Sequence, residues 1–143
     1  MTDRTGSAQW SGDLTSGTGT LRVDDGVFEG AYSFRSRFEE GSGTNPEQLI
    51  AAAHAACFTM ALSNILSEAG HAPDSVSTDA NVQLRFIDGA PTITRIDLNT
   101  EGRVPGIDAG QFQKFAEDAK ANCVVSRALA SVPEIVLTAK LAG

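Results

Sequence analysis

The run PEQLIAAAHAACFTMAL, residues 46–62, constrains the fold more than any other part of the chain. Leu49, Ile50, Ala53, Ala56, Cys57, Met60 and Ala61 follow helical spacing. Leu62, Ile65 and Leu66 widen the apolar stripe, so the sequence predicts a helix buried on most sides. Thr44 or Asn45 can serve as N-cap, and Pro46 suits the first turn. Thr44 and Glu47 have the spacing of a capping box, and Gly70 is a stop. The helix spans about residues 45–69 and is roughly 36 Å long. Its nearly uncharged stretch, Leu49 to Leu62, is too short for a bilayer and fits a core helix.

β-structure is predicted on both sides. Residues 8–14 and 19–23 alternate apolar and polar, AspAspGly at 24–26 is a hairpin signal, and 27–34 reads as a third strand. Two long strands follow the helix, at 76–86 and 92–104, joined by a turn at 88–91. Asp108 caps a second helix whose Phe112, Phe115, Ala116 and Ala119 share one face. A short helical stretch at 125–129 and a strand at 134–140 close the chain. The pattern is α+β: an N-terminal β-lobe about 8–40, the central helix, and a C-terminal αβ lobe about 75–141, all in one domain of residues 1–143.

Charge and composition exclude some functions. The net charge of −7 gives nucleic-acid binding no electrostatic support, and disfavours an anionic membrane surface. MTDRTGSAQW lacks the apolar core of a signal peptide, so a cytoplasmic location is expected. There, a cysteine pair is more often catalytic, redox-active or inert than a structural staple.

Cys57 and Cys123 are those two cysteines. Free cysteine packs as a small hydrophobe, which is the plain reading of Cys57. Cys123 lies between a helix end and a short helix, where backbone N–H groups can stabilise a thiolate. A reactive thiolate also needs a cation. Arg35 and Arg37, in SFRSRF (33–38), alternate along what reads as a strand and share one face; alone they read as solvated edge arginines. His54 lies three residues before Cys57, on its helix face. Together with His71 and the two cysteines it makes the ligand types of a zinc site, but the spacing matches no compact zinc pattern. His54 reads better as a satisfied polar group.

The run GTNPEQLIAAAHAACFTMAL (43–62) strongly resembles the OsmC family, relatives of the Ohr organic-hydroperoxide-resistance proteins. AQWSGD (8–13), YSFRSRFE (32–39), VPGID (104–108) and AKANCVVS (119–126) resemble it as well, so the resemblance covers nearly the whole chain. It implies an intertwined homodimer of α+β subunits with two active sites at the interface. It also implies thiol peroxidase activity toward hydroperoxides, usually organic, with no cofactor or metal. By position Cys57 matches the peroxidatic cysteine and Cys123 the resolving one. Glu47 matches the glutamate that holds the catalytic arginine, and Arg37 matches that arginine; no role is carried onto Arg35. Relatives commonly have proline after the second cysteine, where this chain has Val124, which restores a backbone N–H and frees φ.

The mechanism so implied pairs Arg37 with the Cys57 thiolate, which attacks the distal oxygen of a hydroperoxide. Cys123 then closes a disulfide, and an external dithiol reopens it: a lipoyl-bearing protein, a thioredoxin-like protein or a small thiol. Phe58, Met60 and Phe38 are the expected apolar surroundings, favouring an organic substrate over hydrogen peroxide. On an ideal helix Glu47 and Cys57 stand roughly 15 Å and roughly 80° apart, so either the arginine bridges them or the first turn is a separate, bent helix. Two other readings stay open: a redox sensor or thioester-handling enzyme using the same thiol, and a module binding a lipid or small molecule in an apolar dimer cleft.

Overall fold

The structure is a computed structural model that describes residues 3–143. The chain falls into two compact units, residues 1–49 and 50–143, and its class is α+β.

In the first unit, β1 (Gly6–Ser11), β2 (Thr18–Val23) and β3 (Phe28–Tyr32) form an antiparallel meander. Trp10 and Tyr32, on the outer strands, tilt against each other 5.4 Å apart. Gly19 of β2 lies between them: a Cβ there would come within 2.5 Å of Tyr32 and 2.6 Å of Trp10. The predicted strand 27–34 stops early. Phe34–Phe38 is a helix, α1, rather than the strand expected to carry both arginines. The cause is local. Ser33 accepts a hydrogen bond from the Ser36 N–H, and the Ser36 hydroxyl bonds back to the Ser33 N–H. Arg35 and Arg37 therefore do not share a strand face; Arg35 pairs with Glu39 one turn on.

The long helix α2 runs unbroken from Pro46 to Glu68, so its first turn is not a separate helix. Its cap is Asn45, whose side chain accepts from the Gln48 N–H at 2.8 Å. The Thr44–Glu47 capping box does not form: Thr44 bonds Gln48, and Glu47 is engaged by Arg37. Past the helix end Gly70 takes φ +85°, the left-handed conformation that releases the chain.

In the second unit β4 (Ser75–Ile87) and β5 (Ala90–Arg103) pair antiparallel, and β6 (Glu134–Leu141) joins β5 in parallel. A parallel partner requires a crossover. It is supplied by α3 (Ala109–Asn122) and α4 (Val124–Ala128). Asp108 caps α3 reciprocally with Gln111, as expected from the sequence. Ile96, Leu98, Thr100 and Gly102 alternate inward along β5. They meet Phe58, Leu62 and Leu66 of α2 and Phe112, Ala116 and Ala119 of α3 in one core. A hydroxyl chain crosses it: Thr59 donates to Thr78 (2.8 Å), Thr78 meets Thr100 (2.9 Å), and Thr100 bonds the Ser77 carbonyl. Buried hydroxyls are thereby satisfied.

By length and composition alone α2 could cross a membrane. Its Phe58–Leu62–Leu66 seam is instead the core of this unit. The expectation of burial on most sides fails on another face, where Ala53, Ala56 and Met60 are exposed, Met60 at 77%.

Gly102 has no room for a side chain: a Cβ would stand 2.6 Å from the buried Phe112 ring. Gly102→Ala should therefore lower unfolding stability by about 1–3 kcal/mol. Denaturant titration checks this, with Gly89→Ala as the control for a glycine facing open space.

Candidate active site

The residues singled out from the sequence come together as two constellations, one in each unit. The first is an ion pair. α1 presents Arg37 to Glu47 in the first turn of α2, through Nε to both carboxylate oxygens (3.2 Å each) and Nη2 to Oε1 (2.8 Å). Two nitrogens on one carboxylate fix the plane of the guanidinium as a single contact would not. Glu47 is 9% exposed and Arg37 37%. The Arg37 guanidinium also lies 5.3 Å over the Phe38 ring.

Trp10, Leu14, Tyr32, Ser33, Phe34 and Phe38 enclose a hollow of about 230 Å³ with Arg37 in its wall. It is mostly apolar with one fixed cation, a combination suited to a small apolar molecule bearing a polar head. Trp10, Tyr32 and Phe34 were not assigned to the site from sequence. Phe38 lines this hollow, beside Arg37. Phe58 does not serve as pocket lining, because it is fully buried in the core of residues 50–143.

The second constellation is sulfur. Cys57 and Cys123 are free thiols, near enough that each shifts the ionisation of the other. Cys57 is partly exposed, whereas Cys123 is 1% exposed in the core. Burial pushes the Cys57 thiol up and its bond to Cys123 pushes it further; the N–H groups of Val125 and Val124 pull it back only in part. Val124 keeps an N–H that a proline would lack, and that N–H is among the groups that draw the Cys57 thiol down. Burial pushes Cys123 up as well, but the Cys57 bond, the Ser126 N–H and hydroxyl and the Val125 N–H outweigh it and hold Cys123 below the ordinary thiol value. Cys123 is also the N-cap of α4, with no side-chain cap hydrogen bond. The two sulfurs titrate as a pair, and the first proton lost belongs to both.

His54, one helical turn before Cys57 on α2, is fully buried. Its Nε2 meets the Ser126 hydroxyl at 2.7 Å, and its Nδ1 has no partner among the described residues. His71 sits against Phe115 instead, 6.3 Å between rings. Among the described residues no group of three or more His, Cys, Asp or Glu is placed to hold a metal ion. Ser126 is the partner that sequence reading missed, 72 residues from His54.

Burial holds His54 below the ordinary histidine value of about 6.5. The unfolded chain then binds a proton that the folded chain refuses, so this contribution to stability is intact above about pH 6.5 and is lost as pH falls below it. Replacing the group by His54→Gln should make the loss of stability between pH 7 and pH 5 smaller than in wild type. Denaturant midpoints at the two pH values measure it; an unchanged difference contradicts the assignment.

A family model described as OsmC-like protein matches residues 39–138. The peroxiredoxin OsmC of Escherichia coli (strain K12) is 50% identical over 125 residues, 87% of each chain. An organic hydroperoxide resistance protein of Xanthomonas axonopodis pv. citri (strain 306) is 35% identical over 99 residues, 68% of each. Among solved structures, an organic hydroperoxide resistance protein from Elizabethkingia anophelis superposes with a TM-score of 0.77 at 25% identity, covering 99% of both chains. OhrB of Bacillus subtilis gives 0.72 at 26% identity, covering 96% of this chain and 98% of that one. The chain therefore belongs to the OsmC-like protein family.

Proposed function

We propose that the chain is a cysteine-based peroxidase that reduces organic hydroperoxides, and hydrogen peroxide more slowly. The observation that carries this reading is the sulfur pair: two free thiols at one core, one reachable from solvent and one buried. A peroxide meets Cys57 first, and Cys123 is already in place to close on the product. Relatives named peroxiredoxin and organic hydroperoxide resistance protein support the reaction class.

Within residues 50–143 the balance of burial and hydrogen bonds leaves Cys57 above the ordinary thiol value. A thiolate near neutral pH therefore needs a cation brought to it. Arg37, aimed by Glu47, is the residue assigned to that role, in a site completed by a homodimer. An apolar helix face left open at Ala53, Ala56 and Met60 is the kind of surface a second copy covers. The Cys57 thiolate attacks the distal oxygen of ROOH; the S–O bond forms, the O–O bond breaks, and the alkoxide leaves as ROH after taking a proton. Arg37 stabilises the developing alkoxide. The Cys123 thiolate displaces hydroxide from the sulfenic acid, which leaves as water, and an external dithiol reduces the disulfide by exchange. The aromatic hollow beside Arg37 takes the organic group. The whole chain then works as one OsmC-like domain in the cytoplasm, and a lipoyl-bearing protein is one dithiol that fits.

The test is turnover of tert-butyl hydroperoxide against hydrogen peroxide, with dithiothreitol as reductant. Cys57→Ser should abolish turnover. Arg37→Ala should lower kcat/KM by about a hundredfold or more, and Glu47→Gln by about tenfold, since it loosens the arginine without removing it. If wild type consumes neither peroxide above the Cys57→Ser background, the peroxidase reading is wrong. A redox sensor or ligand-binding module would then be the one to pursue.

A further inference from the structure

His54 is buried, titratable and unused by the mechanism above. Among the described residues its ring has one hydrogen-bond partner, Ser126, at 2.7 Å. The tautomer follows from the other nitrogen. Nδ1 is buried with no partner among the described residues. An unpaired buried N–H is rarer in proteins than an under-satisfied acceptor, so the proton belongs on Nε2 and Nδ1 keeps a bare lone pair. Burial keeps the ring neutral, consistent with one proton on it. Nε2–H therefore donates to the Ser126 oxygen. That leaves the Ser126 hydroxyl hydrogen free to point elsewhere, and Cys123 stands three residues earlier, at the N-cap of the same helix α4.

We propose that His54 and Ser126 form a positioning relay, imidazole N–H to hydroxyl and hydroxyl to sulfur, that presents Cys123 as a thiolate to oxidised Cys57. The sequence places the relay's ends efficiently. His54 stands one helical turn before Cys57 on α2, and Ser126 one turn after Cys123 on α4. The His54–Ser126 bond thus ties together the same two elements that carry the sulfurs. Each hydrogen bond polarises the next, so a hydroxyl that itself accepts from an N–H is a better donor to a thiolate than one alone. The step assisted is disulfide closure: the Cys123 thiolate attacks the Cys57 sulfur, the S–S bond forms, the S–O bond breaks, and hydroxide leaves and is protonated to water. Neither residue touches the peroxide.

The inference deepens the peroxidase reading and rests on it for the natural oxidant, but its test need not. In one arm reduced protein is mixed with tert-butyl hydroperoxide, and loss of the Cys57 thiol and appearance of the disulfide are followed separately by rapid quench and mass spectrometry. In a second arm diamide replaces the peroxide: one thiolate adds across its N=N bond, and the other displaces the reduced hydrazine to close the same disulfide. Ser126→Ala should slow closure about tenfold in both arms, leave the first loss of Cys57 within about twofold, and let overoxidised Cys57 accumulate with excess peroxide. Ser126→Thr, which keeps the hydroxyl, should restore closure. His54→Leu should slow closure similarly, and the double variant no further than the slower single one. Thermal unfolding verifies that each variant is folded; if His54→Leu is not, the Ser126 pair decides. Closure at the wild-type rate in Ser126→Ala, or equal slowing of both steps, overturns the relay. A relay effect with diamide in a wild type that consumes no peroxide overturns the peroxidase reading and leaves the relay standing.

Discussion

The Phe58–Leu62–Leu66 seam of α2, closed over Ile96 and Leu98 of β5 and Phe112 of α3, is the packing on which the sulfur chemistry depends. Cys57 is the residue next to Phe58, so seating that ring fixes the height and rotation of the thiol. Cys123 belongs to the same core, at the joint between α3 and α4. Two sulfurs far apart in sequence are brought to the same core by hydrophobic burial, with no disulfide between them. Close packing makes such a placement reproducible: side chains sit in defined rotamers and a vacant methyl's width is costly.

Burial has an opposing consequence. The environment that positions Cys57 also disfavours its charged form. The fold answers with polar groups directed at the sulfurs: N–H groups of α4 and the Ser126 hydroxyl backed by His54. They favour charge on Cys123 more than on Cys57. An asymmetric pair of this kind suits a two-step reaction in which the accessible sulfur is oxidised first and the buried one attacks second. A cation is held separately in the other unit, with Arg37 bound by two nitrogens to a nearly buried Glu47.

Much of this was legible in the sequence, and the remainder was hidden for identifiable reasons. The long helix, the Asp108 cap and the β4–β5 hairpin depend on residues within a few positions of one another, and all were readable. α1 was misread because FRSRF alternates apolar and polar like a strand; the deciding signal was Ser33 and Ser36, a serine-to-serine capping box. The Thr44–Glu47 box had the right spacing but lost to Arg37, a stronger partner for the carboxylate, and Asn45 took the cap. Arg37 and Glu47 were paired only through family resemblance, since nothing in their spacing announces the contact. The aromatic hollow joins Trp10 to Tyr32 across a three-stranded sheet, and His54 meets Ser126 across 72 residues. Contacts of that kind are set by register and core packing rather than by local pattern.

The central claim is that Cys57, not Cys123, is the sulfur that meets the oxidant. The most direct measurement is to react the reduced protein with one equivalent of tert-butyl hydroperoxide in the presence of dimedone, and to locate the adduct by peptide mass spectrometry. The account predicts a sulfenic-acid adduct on Cys57, rising to near stoichiometric in Cys123→Ser, where no disulfide can compete. An adduct on Cys123, or none on Cys57 in that variant, would contradict it.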